Sequence, residues 1–251
     1  MTLRLDRHAI DAIVLDIEGT TTPMAFVYDV LFPFARRWLR PFLRDKRATP
    51  LLQEITDGLR EEWIHEGTGR ESPPPWPDDP GTQSIAVAAY VEWLMDRDRK
   101  SPALKLLQGH IWRRGYESGE LEGELFPDVV PAIRRWRASG VKVAIYSSGS
   151  VLAQRLLFGH TPAGDLTREI DGFFDTEVGP KTSSASYQHI ATALGCAPDG
   201  LLFISDSTKE LDAAAEAGCR VALCVRPGNL PLPSDASFDV VHSFEELVIN
   251  V

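Results

Sequence analysis

Apolar residues recur along this chain with two spacings, and the places where one gives way to the other mark out its elements. The runs AIVLD (12–16), VKVAIYS (141–147), GLLFISD (200–206) and RVALCV (220–225) are short and almost continuously apolar, which predicts strands buried on both faces. Between the later runs lie segments with helical spacing: PDVVPAIRRWRASG (127–140), VLAQRLLF (151–158), SASYQHIATALG (184–195) and KELDAAAEAG (209–218), with a short DGFFDTE (171–177) among them. Strand and helix alternating in this way predict βαβ units, hence an α/β fold with a doubly wound, Rossmann-like parallel sheet.

One interval breaks the rhythm. Between Leu15 and Val141 the chain runs far beyond the ~30 residues of a simple βαβ unit. Residues 25–66 and 83–118 carry helix-period spacing, as in FARRWLRPFL and IAVAAYVEWLMD, without a comparable strand signal. The expected organisation is therefore a core from residues 1–23 and 126–251, with a helical insertion over 24–125 that closes over the crevice as a cap. Within it GRESPPPWPDDPGT (69–82) has five prolines, which cannot continue a helix, and is expected to be an exposed loop. In RRWLRPFLRDKR (36–47), Trp38, Leu39, Phe42 and Leu43 share one helical face, so the arginines are read as its solvated side.

Composition adds limits. With 43% hydrophobic and 25% charged residues the chain can bury a proper core. Its 26 Lys+Arg against 36 Asp+Glu give a net charge of -10, which disfavours general nucleic-acid or anionic-membrane binding. Cys196, Cys219 and Cys224 lack CxxC spacing and lie beside apolar residues, so they read as reduced, buried thiols. The N-terminal residues lack a signal-peptide pattern, and no run has the length of a membrane span. A cytoplasmic enzyme or binding protein is expected.

The candidate chemistry sits where strands end. AIVLD runs into IEGTTTP, leaving Asp16 and Glu18 at the mouth of a buried strand, where carboxylates are unfavourable unless paired, hydrogen-bonded or bound to metal. Ser147 and Ser148 follow the second strand, with Gly149 permitting close backbone approach. Ser205 and Asp206 end another strand, with Glu210 and Asp212 soon after, and Lys181 lies in a loop just ahead of a helix. Taken singly, each of these residues could be a helix cap, a turn former or a surface lysine.

Together they suit phosphoryl transfer through a carboxylate. Asp16 is the candidate nucleophile, forming an aspartyl-phosphate. Asp16 and Asp206 are candidate Mg²⁺ ligands, since this ion often takes one or two protein carboxylates plus water and phosphate. Ser147, backbone N–H groups and Lys181 would hold the phosphate oxygens, and Glu18 would move protons.

This set of motifs, Asp16–Thr20, Ser147, Lys181 and Asp206, resembles the haloacid dehalogenase-like superfamily. DIEGTTTPMAF, IYSSGSVLAQRLLFGH, GPKTSSASY and VRPGN further resemble the enolase-phosphatases of methionine salvage, the acireductone synthases. That resemblance implies enolisation of 2,3-diketo-5-methylthiopentyl-1-phosphate followed by its dephosphorylation to the acireductone 1,2-dihydroxy-3-keto-5-methylthiopentene. It also implies a monomer and one Mg²⁺ per chain, with the backbone carbonyl of Glu18 completing the metal shell. Usual superfamily phosphatases carry Asp at the position of Glu18, and Glu210 stands where a shorter acid orients metal-bound water. A dehalogenase needs neither Mg²⁺ nor the acid at position 18. A catalytically silent phosphate-binding module would not need Asp16, Glu18, Lys181 and Asp206 all intact. His160 reads equally as substrate-facing or satisfied within its loop, and Phe26 and Tyr28 as lining the crevice or packing beneath it.

Overall fold

The computed structural model describes residues 3–6, 9–45, 49–66, 72–77, 79, 83–99, 101–229 and 238–250. The chain divides into two compact units, Met1–Tyr28 with Glu122–Val251, and Asp29–Leu121.

The first unit is built on a six-stranded, wholly parallel sheet. Its strands are β2 (Ala12–Leu15), β3 (Lys142–Tyr146), β4 (Gly172–Phe174), β5 (Leu201–Ser205), β6 (Arg220–Cys224) and β7 (Val240–Val241), in the order β4-β3-β2-β5-β6-β7. Helices α5 (Val129–Ala138), α6 (Val151–Gly159), α7 (Ser184–Leu194) and α8 (Thr208–Glu216) provide the connections. Every residue of β2 is buried, as is nearly all of β3 and β5, because helices cover both faces and leave no room for a polar alternation. A separate pair, β1 (Leu3–Asp6) and β8 (Leu247–Asn250), joins the two ends of this unit in parallel register. Sequence spacing alone did not pick out β1, β7 or β8, which are two to four residues long and too short to show a period.

From β2 the order proceeds one way to β3 and the other way to β5, so β2 stands at the topological switch point. Ligand crevices of such sheets lie beyond the carboxyl ends of the strands there. Leu15 pairs with Ile145 and with Ile204, so Asp16 is level with Tyr146 and Ser205, and Ser147 and Asp206 each lie one residue further on. The register alone therefore gathers three of the candidate residues at one edge.

The second unit is helical: α1 (Phe32–Asp45), α2 (Pro50–Glu66), α3 (Gln83–Met95) and α4 (Pro102–Ser118). α3 is apolar on most of its circumference and buries Ala86, Val87, Ala88, Tyr90, Val91 and Leu94. α4 starts sharply because the Ser101 hydroxyl accepts from Leu104 N and Pro102 follows it, and stops at Gly119 in the left-handed region. Leu39, Phe42 and Leu43 of α1 are buried, while Arg36 and Arg40 pair with Asp96 and Glu92 at the surface. Lys46 and Arg47, the end of that basic run, lie outside the described residues.

Where it is described, the proline-rich segment lacks regular structure and exposes Ser72, Pro75, Pro77 and Asp79, as expected of an exposed loop, while residues 69–71, 78 and 80–82 lie outside the described residues; the exception is Trp76. Trp76 is buried between Trp63 and Tyr90, with centroids 6.1 and 5.9 Å away, and Trp93 stacks on Tyr90 at 5.8 Å. The Trp63 indole donates to the Pro74 carbonyl at 2.8 Å. The tryptophan is buried among aromatic rings while Pro75 and Pro77 on either side of it stay exposed. The boundary between the units falls within a π-helix, Phe26–Leu31, directly after the DIEGTTTP loop. Among the described residues, no helix is long and apolar enough to cross a membrane.

Candidate active site

The loop after β2 is closed by its own backbone. Thr20, Thr21 and Thr22 all donate N–H to the Ile17 carbonyl, and Gly19 N donates to Thr22 O. Gly19 has φ +69°, and a Cβ there would collide with Asp206 Oδ2, so glycine is needed both for the turn and for the close approach of β5's carboxylate.

Asp16 is buried at the centre of the cluster. Its Oδ1 accepts from Ile17 N at 2.7 Å and from Lys181 Nζ at 2.6 Å, and its Oδ2 lies 3.2 Å from Ser205 Oγ. Lys181, though in a loop, is only 9% exposed, because Nζ reaches inward to a second carboxylate, Glu210 Oε2, also at 2.6 Å. Ser205 Oγ is 2.9 Å from that same Glu210 oxygen. Two tyrosines hold the loop that carries the lysine: Tyr187 OH donates to Lys181 O at 2.6 Å, and Tyr146 OH to Gly179 O at 2.9 Å. Their rings pack with Phe203 in the sheet core, so core packing fixes where the ammonium points.

The electrostatics follow from this crowding. Burial, reinforced by the Asp16 charge, pushes the Glu210 carboxyl up to about 7 against the pull of Lys181. Burial and Asp16 likewise push Asp206 up to about 6. For Lys181, burial works to lower its pKa, but the charges of Asp16 and Glu210 outweigh it and raise it. Three carboxylates thus face one ammonium.

The phosphate-loop candidates are held separately. Ser147 N donates to Phe174 O at 3.1 Å, and its buried hydroxyl accepts from Gly149 N at 3.1 Å. Gln154 Nε2 ties Gly149 O at 2.8 Å to Phe174 O at 2.7 Å, and Asp175 Oδ2 accepts from Val151 N at the start of α6. Ser148 is partly exposed in this loop. Glu18 is partly exposed in the β2 loop, in a β-bridge with Thr22. The contacts above join Asp16, Lys181, Ser205 and Glu210 directly, and Asp206 through its charge. Asp212 is exposed on α8.

Other candidates sort plainly. His160 Nδ1 lies 3.0 Å from Leu156 O at the end of α6. Phe26 is buried and Tyr28 half-exposed in the π-helix. The three cysteines are free thiols, with burial pushing Cys219 and Cys224 up to about 12. Sequence reading alone missed the pairing of Glu210 with Lys181. The signal available was position: an acid in the first turn of a helix that follows a site strand. Asn229, in the loop after β6, donates Nδ2 to Gly19 O at 2.9 Å and was visible only as the last residue of VRPGN.

The residues suit a hard divalent cation. Asp16 and Asp206 are carboxylates whose mutual repulsion a cation would relieve, and Mg²⁺ requires only one or two such ligands. Among the described residues, no group of three or more His, Cys, Asp or Glu side chains is placed to hold a metal.

Residues 10–218 match a family of haloacid dehalogenase-like hydrolases. The chain is 49% identical over 239 residues to enolase-phosphatase E1 of Synechococcus elongatus, covering 95% of this chain and 98% of that one. It is 48% identical to a probable bifunctional methylthioribulose-1-phosphate dehydratase/enolase-phosphatase E1 of Vitis vinifera, covering 94% of this chain and 46% of that longer one. The crystal structure of the UTR4 protein of Saccharomyces cerevisiae superposes with a TM-score of 0.74 at 34% identity, over 94% of this chain and 99% of that one.

Proposed function

The chain belongs to the enolase-phosphatase E1 family of haloacid dehalogenase-like hydrolases, and from that premise we propose that it converts 2,3-diketo-5-methylthiopentyl-1-phosphate to the acireductone and phosphate. The observation that carries the reading is Lys181 Nζ, 2.6 Å from Asp16 and 2.6 Å from Glu210, which sets a cation against the nucleophile where a phosphate would arrive. That the Vitis vinifera relative joins a methylthioribulose-1-phosphate dehydratase to its enolase-phosphatase supports a methylthio-sugar origin for the substrate.

In this mechanism Glu18 first removes a proton from the carbon bearing the phosphate ester, leaving the negative charge on the adjacent carbonyl oxygen as an enolate. An Asp16 oxygen then forms a bond to phosphorus as the ester P–O bond breaks, and Glu18 returns a proton to the departing oxygen. Water, deprotonated by Glu18, next attacks phosphorus as the bond to Asp16 breaks to release phosphate, and Glu18 passes that proton to the enolate oxygen, completing the dihydroxy product and restoring its own carboxylate. Lys181, Ser147, Ser148 and nearby backbone N–H groups hold the phosphate oxygens throughout. Asp16, Asp206 and the Glu18 carbonyl would hold Mg²⁺, which when bound supplies positive charge against those oxygens. Ser205 and Glu210 keep the Asp16 carboxylate and the Lys181 ammonium aligned. The helical unit, as a cap, selects the substrate. We place the enzyme in the cytoplasm as a monomer.

Product analysis tests this. The diketo phosphate and a generic aryl phosphate are supplied with Mg²⁺ and with chelator. Mg²⁺-dependent phosphate release with an acireductone product is expected from the first alone. Equal turnover of unrelated phosphate esters without an enol would leave only a general phosphatase.

A further inference from the structure

Asn229 lies in the loop that follows β6 and is tied to the turn after β2. Its Nδ2 donates to Gly19 O at 2.9 Å and lies 3.4 Å from Cys224 O. Two carbonyl acceptors on one side fix the amide the other way round, because the oxygen placed there would face only acceptors. Oδ1 must therefore point away from them. It is shielded from solvent and has no hydrogen-bond partner among the described residues.

Its surroundings make that lack consequential. The point where a Cβ on Gly19 would stand is 2.9 Å from Asn229 Oδ1 and is contacted by Asp206 Oδ2. A carboxylate oxygen and an amide oxygen thus lie against the same side of Gly19, and the amide oxygen has no donor among the described residues. Two acceptors in such an arrangement repel, and a buried acceptor without a donor is unfavourable by itself. An acceptor so placed is satisfied by a donor brought in from outside the protein, such as water carried on a cation held by Asp206. The loop itself is held without Oδ1, since Nδ2 binds Gly19 O and the backbone N–H of Asn229 closes the turn onto Arg226 O at 3.1 Å.

We propose that Asn229 is a positioning residue of the divalent-cation site. Its Nδ2 holds the Gly19 carbonyl, and with it the turn that carries Asp16 and Glu18. Its Oδ1 accepts a hydrogen bond from the hydration shell of a cation held by Asp16 and Asp206. The inference rests on the reading of those two carboxylates as Mg²⁺ ligands. Outer partners of this kind commonly change metal affinity by 10–100-fold.

Calorimetric titration of Mg²⁺ into the purified, substrate-free protein tests it, beside thermal melting in chelator. Asn229→Ala is expected to bind Mg²⁺ roughly tenfold more weakly than the unaltered chain. Binding within fivefold of the unaltered chain overturns the inference, whatever the melting temperature, because a staple with no bearing on the cation or its ligands would lower stability and leave affinity in place. Should Asn229→Ala not fold, as judged by circular dichroism, Asn229→Ser is read by the same fivefold threshold. If the unaltered protein itself binds no Mg²⁺, the cation reading of Asp16 and Asp206 falls and this inference falls with it; if only the variant result fails, that reading stands.

Discussion

Lys181 Nζ sits 2.6 Å from Asp16 Oδ1 and 2.6 Å from Glu210 Oε2, so one buried ammonium serves two carboxylates at once. Lys181→Met removes the charge that faces the phosphate, and phosphate release should fall by about a hundredfold or more. A loop lysine read from sequence would be dispensable to folding. This one is not, since its loss leaves buried carboxylates uncompensated, a change that typically costs about 3–5 kcal/mol. Urea unfolding should show the loss, larger at pH 8 than at pH 6, where Glu210 can take up a proton instead.

Glu210 and Asp206 carry pKa values raised to about 7 and about 6, above their ordinary carboxylate values. Between about pH 4 and 7 the folded chain therefore binds more protons than the unfolded one, and stability falls as pH rises through that window. In chelator, Glu210→Gln should flatten this decline and be relatively more stable at pH 8. Added Mg²⁺ should raise the melting temperature of the unaltered chain more at pH 7.5 than at pH 5, because its ligands must be deprotonated. A Mg²⁺ effect independent of pH would detach these carboxylates from the cation.

Asp206→Asn takes one negative oxygen from a site with few protein ligands. The Mg²⁺ concentration for half-maximal phosphate release should rise by tenfold or more, with activity partly restored at high Mg²⁺. An unchanged Mg²⁺ titration would remove Asp206 from the metal shell.

Asp16→Asn and Glu18→Gln separate the half-reactions. An amide cannot form the acyl phosphate, so Asp16→Asn should release no phosphate while enol phosphate accumulates slowly. Glu18→Gln should suppress both steps, since protons move at carbon and at the leaving oxygen. Ultraviolet absorbance of the enol, followed beside free phosphate, reads both. Near-normal phosphate release from Asp16→Asn would overturn the assignment.

The sheet was legible because parallel strands buried on both faces are nearly unbroken apolar runs, as in Ala12–Leu15 and Leu201–Ser205. Asp16, Ser147 and Asp206 were legible because polar residues that end such runs stand out. The partnership of Lys181 with Glu210 was not, since it joins a loop residue to the first turn of α8 through side-chain reach that no local spacing encodes. The burial of Trp76 was not legible for a related reason: the aromatic partners that cover it lie on α2 and α3, far from it in sequence. β7, at two residues, exists only by pairing with β6.

The aromatic stack around Trp76 has a spectroscopic consequence. Of the six tryptophans, Trp38, Trp63, Trp76, Trp93 and Trp112 belong to the helical unit, and Trp136 alone to the α/β unit, where it packs on Phe244. Intrinsic emission is therefore dominated by the helical unit, and Trp136→Phe would make it an exclusive reporter of that unit. Changes in emission wavelength during denaturation or on adding substrate analogues would then be attributable to residues 29–121 without any attached dye.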